Sequence, residues 1–557
     1  MEQARLLIAI VLSAAVFLVW QFFFVDRDAV QKTAKKTEQP PANTEQVQPV
    51  KPYTAQKEDT VIKPTGVTET AVANPARQAK FITVDTPLYR AKISEEGAGF
   101  TSFILKNYKE TVAKDSPLKE IIPQESAFES VLVDYDAKSL AGLDKAVFSA
   151  NLNVDTLRVK EGAQQITFSW TSEQGVIIEK TYSFSPDSYV IGLDVTVKNG
   201  SDRSIQDKLY VALKGSVPKD KRVYGFEGPS AFINDNLEEV KIKDIADKNT
   251  FAGSLKWIAI QDRYFITSII PTHVDEASMR LYLKEDKLLE AQYLNPVSDI
   301  RPGTQQTYQY SLFFGPKSMK IMRAVGHDIS EALNFGFFDI IAKPCVWLMN
   351  KLYSVIPNYG IAIIILTLLI KLILWPLGSK SYKSMSEMKK IQPLMKEIRE
   401  KYKDDKKKMN EEVMGLYRTY KINPLGGCLP MVVQLPVFFA LYRMLYQAIE
   451  LRHAPFFLWI DDLSAPDRLG HFAIDHIPFM EPPYGIPVLT IIMGASMLLQ
   501  QKMSPPMGDP TQAKMMMFMP VIFTVIFINF SSGLVLYWLV NNILSIAQQY
   551  YIQKKYA

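Results

Sequence analysis

The chain has 557 residues, of which 48% are hydrophobic and 22% are charged, and its formal net charge is +5. Its mean hydropathy is near zero, because strongly apolar segments are averaged with ordinary soluble ones, which excludes one uniform domain. The two cysteines, Cys345 and Cys428, lie in or beside apolar segments. Their positions imply no disulfide framework and predict that both are packing residues.

The N-terminal region predicts a membrane anchor followed by a tether. An apolar run from Leu6 to Val25 follows Arg5 and is too long for the core of a typical cleaved signal peptide. We therefore predict an uncleaved signal-anchor span over residues 1–25. Residues 26–78 are rich in Pro, Gln, Thr and Lys and poor in large apolar residues, a composition that predicts a flexible tether.

Residues 79–316 have the pattern of an all-β domain. Short alternating segments such as QQITFSW, VIIEKTYSF and SYVIGLDVTVKN are separated by Gly, Asn, Asp and Pro, which predicts a β-sandwich with its own core. The sequence of this domain contains no metal-spaced His/Cys cluster, nucleophile elbow or phosphate loop. We therefore predict no catalytic residue, no metal ligand and no cofactor.

The next segments approach and then cross the membrane. Residues 317–356 combine aromatic and aliphatic bulk with Asp339, Lys343 and Lys351, which predicts helices lying in the membrane interface. Residues 357–377 are apolar and long enough to cross a bilayer as a helix. We predict the second span there.

Lys371 is a full charge within this second span, and a lysine at that depth costs roughly 2.5–3.5 kcal/mol. Two interpretations are open: its stem can extend to an interface near Trp375, or its ammonium can line a wet cavity. Thr367 lies one turn earlier on the same helix face, which favours the cavity. An ionisable residue inside a membrane indicates a functional site.

After residue 377 the sequence becomes strongly basic, with apolar residues at helical spacing on both sides of a break near Lys403. This pattern predicts a helical hairpin over residues 378–424, and its excess of Lys and Arg places it in the cytoplasm. Its methionines fit varied apolar partners, although they also fit a small core under a solvated face. The predicted hairpin contacts are Met385, Met388, Met395 and Met409.

Residues 425–551 predict four further spans, with an acidic loop over 450–484 on the far side and a cytoplasmic loop over 502–514. Residues 552–557 form a short tail. With the N-terminal anchor, six spans result, both termini are cytoplasmic, and the β domain is periplasmic. The predicted fold class is an α-helical polytopic membrane protein, with a five-helix core and a large all-β sandwich.

The last span carries a polar stripe. Tyr537, Asn541 and Ser545 repeat every four residues, and Trp538 lies beside them. Such side chains prefer a bundle interior or a wet cavity, although hydrogen bonding between helices also explains Asn and Gln. That alternative explains Lys371 poorly, because the sequence places no acidic residue in the middle of any predicted span. The residues predicted to line one groove are Thr367, Lys371, Gln434, Tyr537, Trp538, Asn541 and Ser545.

Several long motifs in the C-terminal half carry a family resemblance. The runs KINPLGGCLPMVVQLPVFFALYRML and SSGLVLYWLVNNILSIAQQ resemble the YidC/Oxa/Alb family of membrane-protein insertases, in its Gram-negative form. The resemblance implies an inner-membrane insertase and chaperone for nascent membrane proteins, working alone or with the Sec translocon, without nucleotide hydrolysis. It implies a groove open to cytoplasm and lipid whose central positive residue is usually arginine. Lys371 stands at that position here and keeps the charge without the planar fork.

The resemblance also covers the remaining regions. The hairpin is similar to the family's cytoplasmic coiled region, which implies contact with substrates and targeting factors, and the β domain is similar to sugar mutarotases without a catalytic role. The short tail IQKKYA lacks the long basic extension that some relatives use for ribosome contact. We expect phospholipid contact, and no nucleic-acid binding beyond the ribosome.

Two other classes of function compete with an insertase. A transporter or channel could use Lys371 as a substrate or ion site, and a membrane-tethered carbohydrate enzyme would rest on fold analogy alone. The Met-bearing hairpin, which a transporter does not require, and the absence of paired inverted repeats in the sequence favour the insertase.

Overall fold

The computed structural model describes residues 79–122, 128–152, 154–217, 225–285, 287–420, 429–470, 472, 476–504 and 510–556. The described residues within Ala71–Ser386 and Leu425–Ala557 form one unit, and those within Glu387–Pro424 form a second. The predicted signal anchor and tether lie outside the described residues, as do the last residues of the predicted hairpin and the middle of the predicted loop 502–514.

The β domain is built from short strands that follow one another between Phe81 and Pro316. Their bounds are β1 Phe81–Asp85, β2 Tyr89–Ser94, β3 Phe100–Lys109, β4 Leu118–Ile122, β5 Leu132–Tyr135, β6 Ser149–Ala150, β7 Thr156–Arg158, β8 Gln164–Thr171, β9 Val176–Phe184, β10 Val190–Asn199, β11 Ile205–Asp207, β12 Leu209–Ser216, β13 Gly228–Ile233, β14 Asn236–Glu239, β15 Thr250–Gln261, β16 Phe265–Pro271, β17 Glu276–Lys284, β18 Leu288–Leu294, β19 Ser298–Ile300 and β20 Gln305–Pro316.

Two sheets pack face to face to form a sandwich. The larger has the order β5-β12-β18-β17-β15-β16-β20-β10-β9-β8-β6, with β13 and β14 attached beside β15, and the smaller has the order β4-β3-β2-β1-β7. Every second residue of β9 and β10 is buried, as expected of strands with one face in a core. Phe100 of the smaller sheet meets Tyr182 and Phe314 of the larger one edge to face, at centroid distances of 5.3 and 5.5 Å.

Strand β15 joins two parts of the larger sheet. Residues Thr250 to Ser254 pair with β17, whereas residues Ile258 to Gln261 pair with β16. The later part of β15 also pairs with β13 on its other edge. One strand of twelve residues therefore holds three neighbours in register.

Lys180 lies in the core of the sandwich. It is fully buried, and its Nζ donates to the carbonyl oxygens of Gly97, Ala98 and Val131 at 2.9, 2.8 and 2.7 Å. The Tyr182 hydroxyl donates to the same Ala98 carbonyl at 2.7 Å. The ammonium therefore ties β9 to the β2–β3 connection and to the residue before β5.

The helices follow the β domain. Their bounds are α1 Met319–Val325, α2 Asp339–Val355, α3 Tyr359–Ile373, α4 Trp375–Lys390, α5 Gln392–Lys401, α6 Lys406–Thr419, α7 Leu429–Gln447, α8 Val488–Met503, α9 Pro510–Phe527 and α10 Ser532–Tyr556. Helices α3, α7, α8 and α10 pack in the same unit as the β domain, and α5 and α6 form the hairpin of the second unit.

Helix α3 is shorter than the predicted span over residues 357–377. It ends at Ile373, and α4 continues from Trp375 after a bend of 66°. Pro376 explains the break, because proline has no backbone N–H to donate to Leu372 and restricts the residue before it. Among the described helices, none reaches alone the length and hydropathy of a membrane span, whereas α3 and α4 do so together across the bend.

The β domain contacts the end of α7. Arg263 Nε donates to the Tyr446 carbonyl at 2.7 Å, and its guanidinium lies 3.6 Å from the centre of the Tyr446 ring. Just beyond the helix, Glu450 accepts from Ser318 at 3.1 Å and from Asn350 at 3.4 Å. Burial raises the pKa of the Glu450 carboxyl, and these hydrogen bonds oppose the rise. The contact combines stacking on the Tyr446 ring with hydrogen bonds to one backbone carbonyl and to the Glu450 carboxylate.

Replacing Lys180 tests the importance of the buried ammonium. We expect Lys180→Met to destabilise the β domain by about 3 kcal/mol, because three buried carbonyls lose their donor. The measurement is urea-dependent proteolysis of the full-length protein, following cleavage within residues 79–316. Lys198→Met is the matched control, since the Lys198–Glu179 ion pair is partly exposed and such pairs contribute about 0–1 kcal/mol. Equal stability of the two variants would contradict the expectation.

Candidate functional site

A partly open cavity lies among helices α3, α4, α7 and α10. Its empty space is about 500 Å³ when the open solvent at its mouth is counted, and the centres of water molecules can occupy about 40 Å³ of it. The wall mixes aliphatic with polar and charged side chains, so water can occupy it. The lining residues are Thr367, Ile370, Lys371, Leu374, Leu377, Gly378, Tyr382, Gln434, Tyr537, Asn541 and Gln548.

Lys371 is the charged group in this wall. It is located in the last turn of α3, where the helix dipole favours a cation. Its Nζ donates to Ser545 Oγ of α10 at 2.7 Å, and Ser545 Oγ donates in turn to the Asn541 carbonyl at 2.7 Å. Within the part of the chain that the structure describes, no carboxylate oxygen lies within 4.0 Å of this ammonium. The positive charge therefore faces the cavity without a carboxylate partner among the residues that the structure describes.

The structure brings six of the seven predicted groove residues together. Thr367, Lys371, Gln434, Tyr537 and Asn541 line the cavity, and Ser545 binds Lys371. Thr367 Oγ1 donates to the Ile363 carbonyl one turn earlier at 2.7 Å, so its hydroxyl is already bound. The spacing of four residues aligns Tyr537, Asn541 and Ser545 along one face of α10 because an α-helix has 3.6 residues per turn.

Trp538 is the seventh predicted residue, and it does not line the cavity. Its ring packs edge to face against Phe438 at 4.6 Å and contacts Phe527 at 5.2 Å. Among the described residues, its buried Nε1 has no hydrogen-bond partner. The side chains of neighbouring residues in a helix point about 100° apart, so Tyr537 and Trp538 lie on different faces of α10.

The sequence did not predict the cavity-lining residues that the bend between α3 and α4 brings into place. Tyr382 and Gly378 of α4 enter the cavity only because the chain turns after α3. Gln548, which the sequence places close to the stripe of Tyr537, Asn541 and Ser545, also lines the cavity. The aliphatic part of the wall, including Ile370 and Leu374, carries no distinguishing sequence pattern.

Gln548 of α10 stabilises the bend between α3 and α4 by hydrogen bonds. Its Nε2 donates to the Trp375 carbonyl at 3.1 Å and to Ser379 Oγ at 3.3 Å, and its side chain is buried. Gly378 allows this approach, because a Cβ there would lie 3.0 Å from the Gln548 amide nitrogen. Helix α10 thus supplies partners for both the cavity charge and the helix break.

The methionines of the predicted hairpin are mostly covered. Met385, Met388 and Met395 are buried, and Met409 is half-buried. Within the hairpin, the Tyr417 hydroxyl donates to the Met395 sulfur at 3.6 Å. Helix α5 begins anew at Gln392 with a proline in its first turn, which divides the first arm that the sequence predicts as one helix. No group of side chains suited to a metal ion occurs in the ranges that the structure describes.

Comparison with known proteins adds an independent observation. Residues 351–557 match the family described as 60Kd inner membrane protein, and residues 81–348 match the YidC periplasmic domain. The membrane protein insertase YidC of Syntrophus aciditrophicus is 40% identical over 558 residues, covering 99% of each chain. The chain belongs to the YidC family of membrane protein insertases. The YidC of Geobacter sulfurreducens is 42% identical over 476 residues, which is 84% of this chain and 85% of that relative.

Solved structures give weaker likenesses. An active YidC insertase crystal structure with the first transmembrane domain resolved aligns with 86% of this chain and 93% of its own, at 19% identity and a TM-score of 0.38. A galactose mutarotase related enzyme from Lactobacillus acidophilus aligns with 42% of this chain and 97% of its own, at 11% identity and a TM-score of 0.32. YidC membership confirms the sequence resemblance, the periplasmic β-sandwich and the prediction that the chain is not an enzyme.

Replacing neighbouring glutamines by leucine tests the role of Gln548 in the YidC bend. We expect Gln548→Leu to loosen the bend, because the Trp375 carbonyl and Ser379 lose a buried donor at a cost of about 1–3 kcal/mol. Gln549→Leu should be neutral or stabilising, since the buried Gln549 amide has no partner among the described residues. Amide hydrogen exchange of residues 375–379 in the full-length protein measures the difference. Equal exchange in both variants would exclude this role.

Proposed function

We propose that this insertase moves apolar segments of nascent membrane proteins into the inner membrane along the cavity lined by Lys371, without a chemical step. The observation that carries the proposal is an ammonium inside the helical region that has a hydroxyl partner and, among the described residues, no carboxylate within 4.0 Å. A buried cation that has lost its hydration and gained no counterion is costly. Water in the partly open cavity lowers that cost.

Such a cavity lowers the barrier for a client segment. Moving a polar or acidic stretch of a client into lipid has a large desolvation cost. A hydrated, positively charged cavity wall lowers this cost, because the stretch keeps contact with water and with a positive charge inside the membrane. The apolar part of the client can meanwhile leave sideways into lipid. Lys371 attracts acidic groups as a point charge, without the bidentate geometry of arginine.

The proposed topology has six spans, with both termini in the cytoplasm. The basic hairpin stays cytoplasmic by the positive-inside rule, and the acidic loop over 450–484 lies on the periplasmic side with the β domain. Helix α2 supports a place in the interface, because Ile340, Trp347 and Val355 are exposed along it while its other face is buried. An amphipathic helix of this kind lies along a membrane surface.

The proposed partners follow from the activity. Nascent membrane proteins are the clients, phospholipid surrounds the helices, and the insertase works alone or with the Sec translocon. Ribosome and targeting-factor contact is assigned to the cytoplasmic hairpin. Of its four predicted contact methionines, the half-buried Met409 is the one available to a partner, because Met385, Met388 and Met395 are buried. The exposed side chains of Met414 and Tyr420 extend that surface at the second arm.

Substitution of Lys371 tests the charge. We expect Lys371→Leu to slow insertion of a small single-span protein into vesicles by about tenfold, an effect of about 1.4 kcal/mol, and Lys371→Arg to retain activity. The measurement is protease protection of the client with purified insertase. Lys351→Leu serves as the control, since Lys351 is an exposed lysine of α2. Full activity of Lys371→Leu would exclude the charge mechanism.

Crosslinking tests the path of the client. A photoreactive residue at Gln434 or Asn541, both in the cavity wall, should crosslink to a ribosome-stalled client, because these side chains face the open volume. The same probe at Trp538 should give a weaker product, since that side chain packs among phenyl rings. The yield of crosslinked client on a gel is the readout. A stronger product at Trp538 than at both cavity positions would place the path on another face of α10.

A further inference from the structure

Two tight turns within residues 450–484 carry large apolar side chains that are exposed on the protein surface. In the first, the Phe456 N–H donates to the Ile460 carbonyl at 2.9 Å and the Ile460 N–H to the Phe457 carbonyl at 3.2 Å. In the second, the Met480 N–H donates to the Ile477 carbonyl at 3.2 Å. The tip residues are Phe457, Leu458 and Phe479, with exposed fractions of 54%, 87% and 77%.

The tips have an unusual backbone conformation for such residues. Leu458 and Phe479 have φ values of 59° and 63°, in the left-handed region that Gly and Asn normally occupy. A turn that faces only water gains nothing from a bulky apolar residue there. Strain together with exposed apolar surface points to a function for the side chains.

Hydrogen bonds attach both turns to neighbouring parts of the chain. Asn529 Nδ2 donates to the Phe479 carbonyl at 2.9 Å, and Asn529 Oδ1 accepts from the Glu481 N–H at 2.9 Å. Near the other turn, Trp459 Nε1 donates to Asp467 Oδ1 at 2.6 Å. Asp467 also accepts from the backbone N–H groups of Leu489 and Thr490 at the start of α8. These hydrogen bonds therefore tie both turns to residues at the start of α8 and just beyond the end of α9.

Both turns lie at helix ends. The Asn358 side chain donates to the Phe456 carbonyl at 3.5 Å beside the start of α3, and Asn529 follows the end of α9. The two helices that these contacts reach, α8 and α9, carry exposed apolar side chains, which we call the apolar belt. The exposed belt residues are Ile491, Ile492, Val521, Ile522, Val525 and Ile526.

We propose that Phe457, Leu458 and Phe479 insert into the headgroup and upper acyl region of the periplasmic leaflet, as two anchors at the edge of the lipid-facing belt. Each tip exposes one or two side chains, much less than a protein interface requires, whereas single aromatic and aliphatic residues are stabilised at a membrane interface. The inference rests on the proposed placement of the helices in the bilayer. Its consequence is that the loop is held at a fixed depth.

Spin labelling of the full-length protein tests the anchors. In a background with Cys345→Ala and Cys428→Ala, single variants Leu458→Cys, Phe479→Cys, Ile522→Cys and Val297→Cys are labelled with a nitroxide. The proteins are reconstituted in vesicles of phosphatidylethanolamine and phosphatidylglycerol. Collision rates with oxygen and with a water-soluble nickel complex are then measured. Val297 is the matched control, an exposed apolar residue of the β domain, and Ile522 reports the belt.

We expect the labels at 458 and 479 to show a ratio of oxygen to nickel accessibility several-fold above that at 297 and below that at 522. A ratio equal to that at 297, with 522 in lipid, would overturn the anchors and leave the proposed function standing. A low ratio at 522 as well would overturn the helix placement and the anchors together. Dipolar broadening between labels at 458 or 479 would assign the turns to a contact between two copies, which also overturns the proposal.

Discussion

The hydrogen bond from Lys371 to Ser545 is the interaction on which the cavity depends. It holds the Lys371 ammonium of α3 against α10. Because the Ser545 hydroxyl is uncharged, this hydrogen bond does not neutralise the positive charge. A carboxylate in the same place would have made a closed ion pair and removed the reason for water to enter. Because Ser545 also donates to its own helix, its lone pairs remain directed at the lysine. The cavity therefore keeps both a defined geometry and a free charge.

The helix break and the charged wall form one arrangement. Pro376 ends the regular hydrogen bonding of α3, and α4 then brings Tyr382 and Gly378 into the wall. Gln548, one turn beyond Ser545 on α10, satisfies the Trp375 carbonyl at the break. A straight helix would have carried Tyr382 away from Lys371. The bend thus converts two helices in contact into a concave site.

Much of the fold was predictable because its periodicity is strong. Strands such as β9 alternate buried and half-buried residues over their whole length, and the isolation of Lys371 follows from the lack of acids in the predicted spans. The same alternation places Lys180 in phase with the buried Ile178 and Tyr182, a signal that sequence reasoning did not use. The sequence could not predict that Tyr537 lines the cavity and Trp538 does not. Helical spacing assigns residues to different faces of α10, but it does not show which helix each face packs against. The bend direction was also hidden, since a proline marks a break but does not set the angle.

Strand β15 gives the β-sandwich a particular mechanical character. Its first residues hold β17 and its last residues hold β13 and β16, so one continuous backbone transmits load between parts of the sheet that would otherwise be separate. Pulling on either side shears hydrogen bonds of the same strand. The domain should therefore resist partial opening and yield in a single cooperative step, which suits the periplasmic domain of a membrane protein.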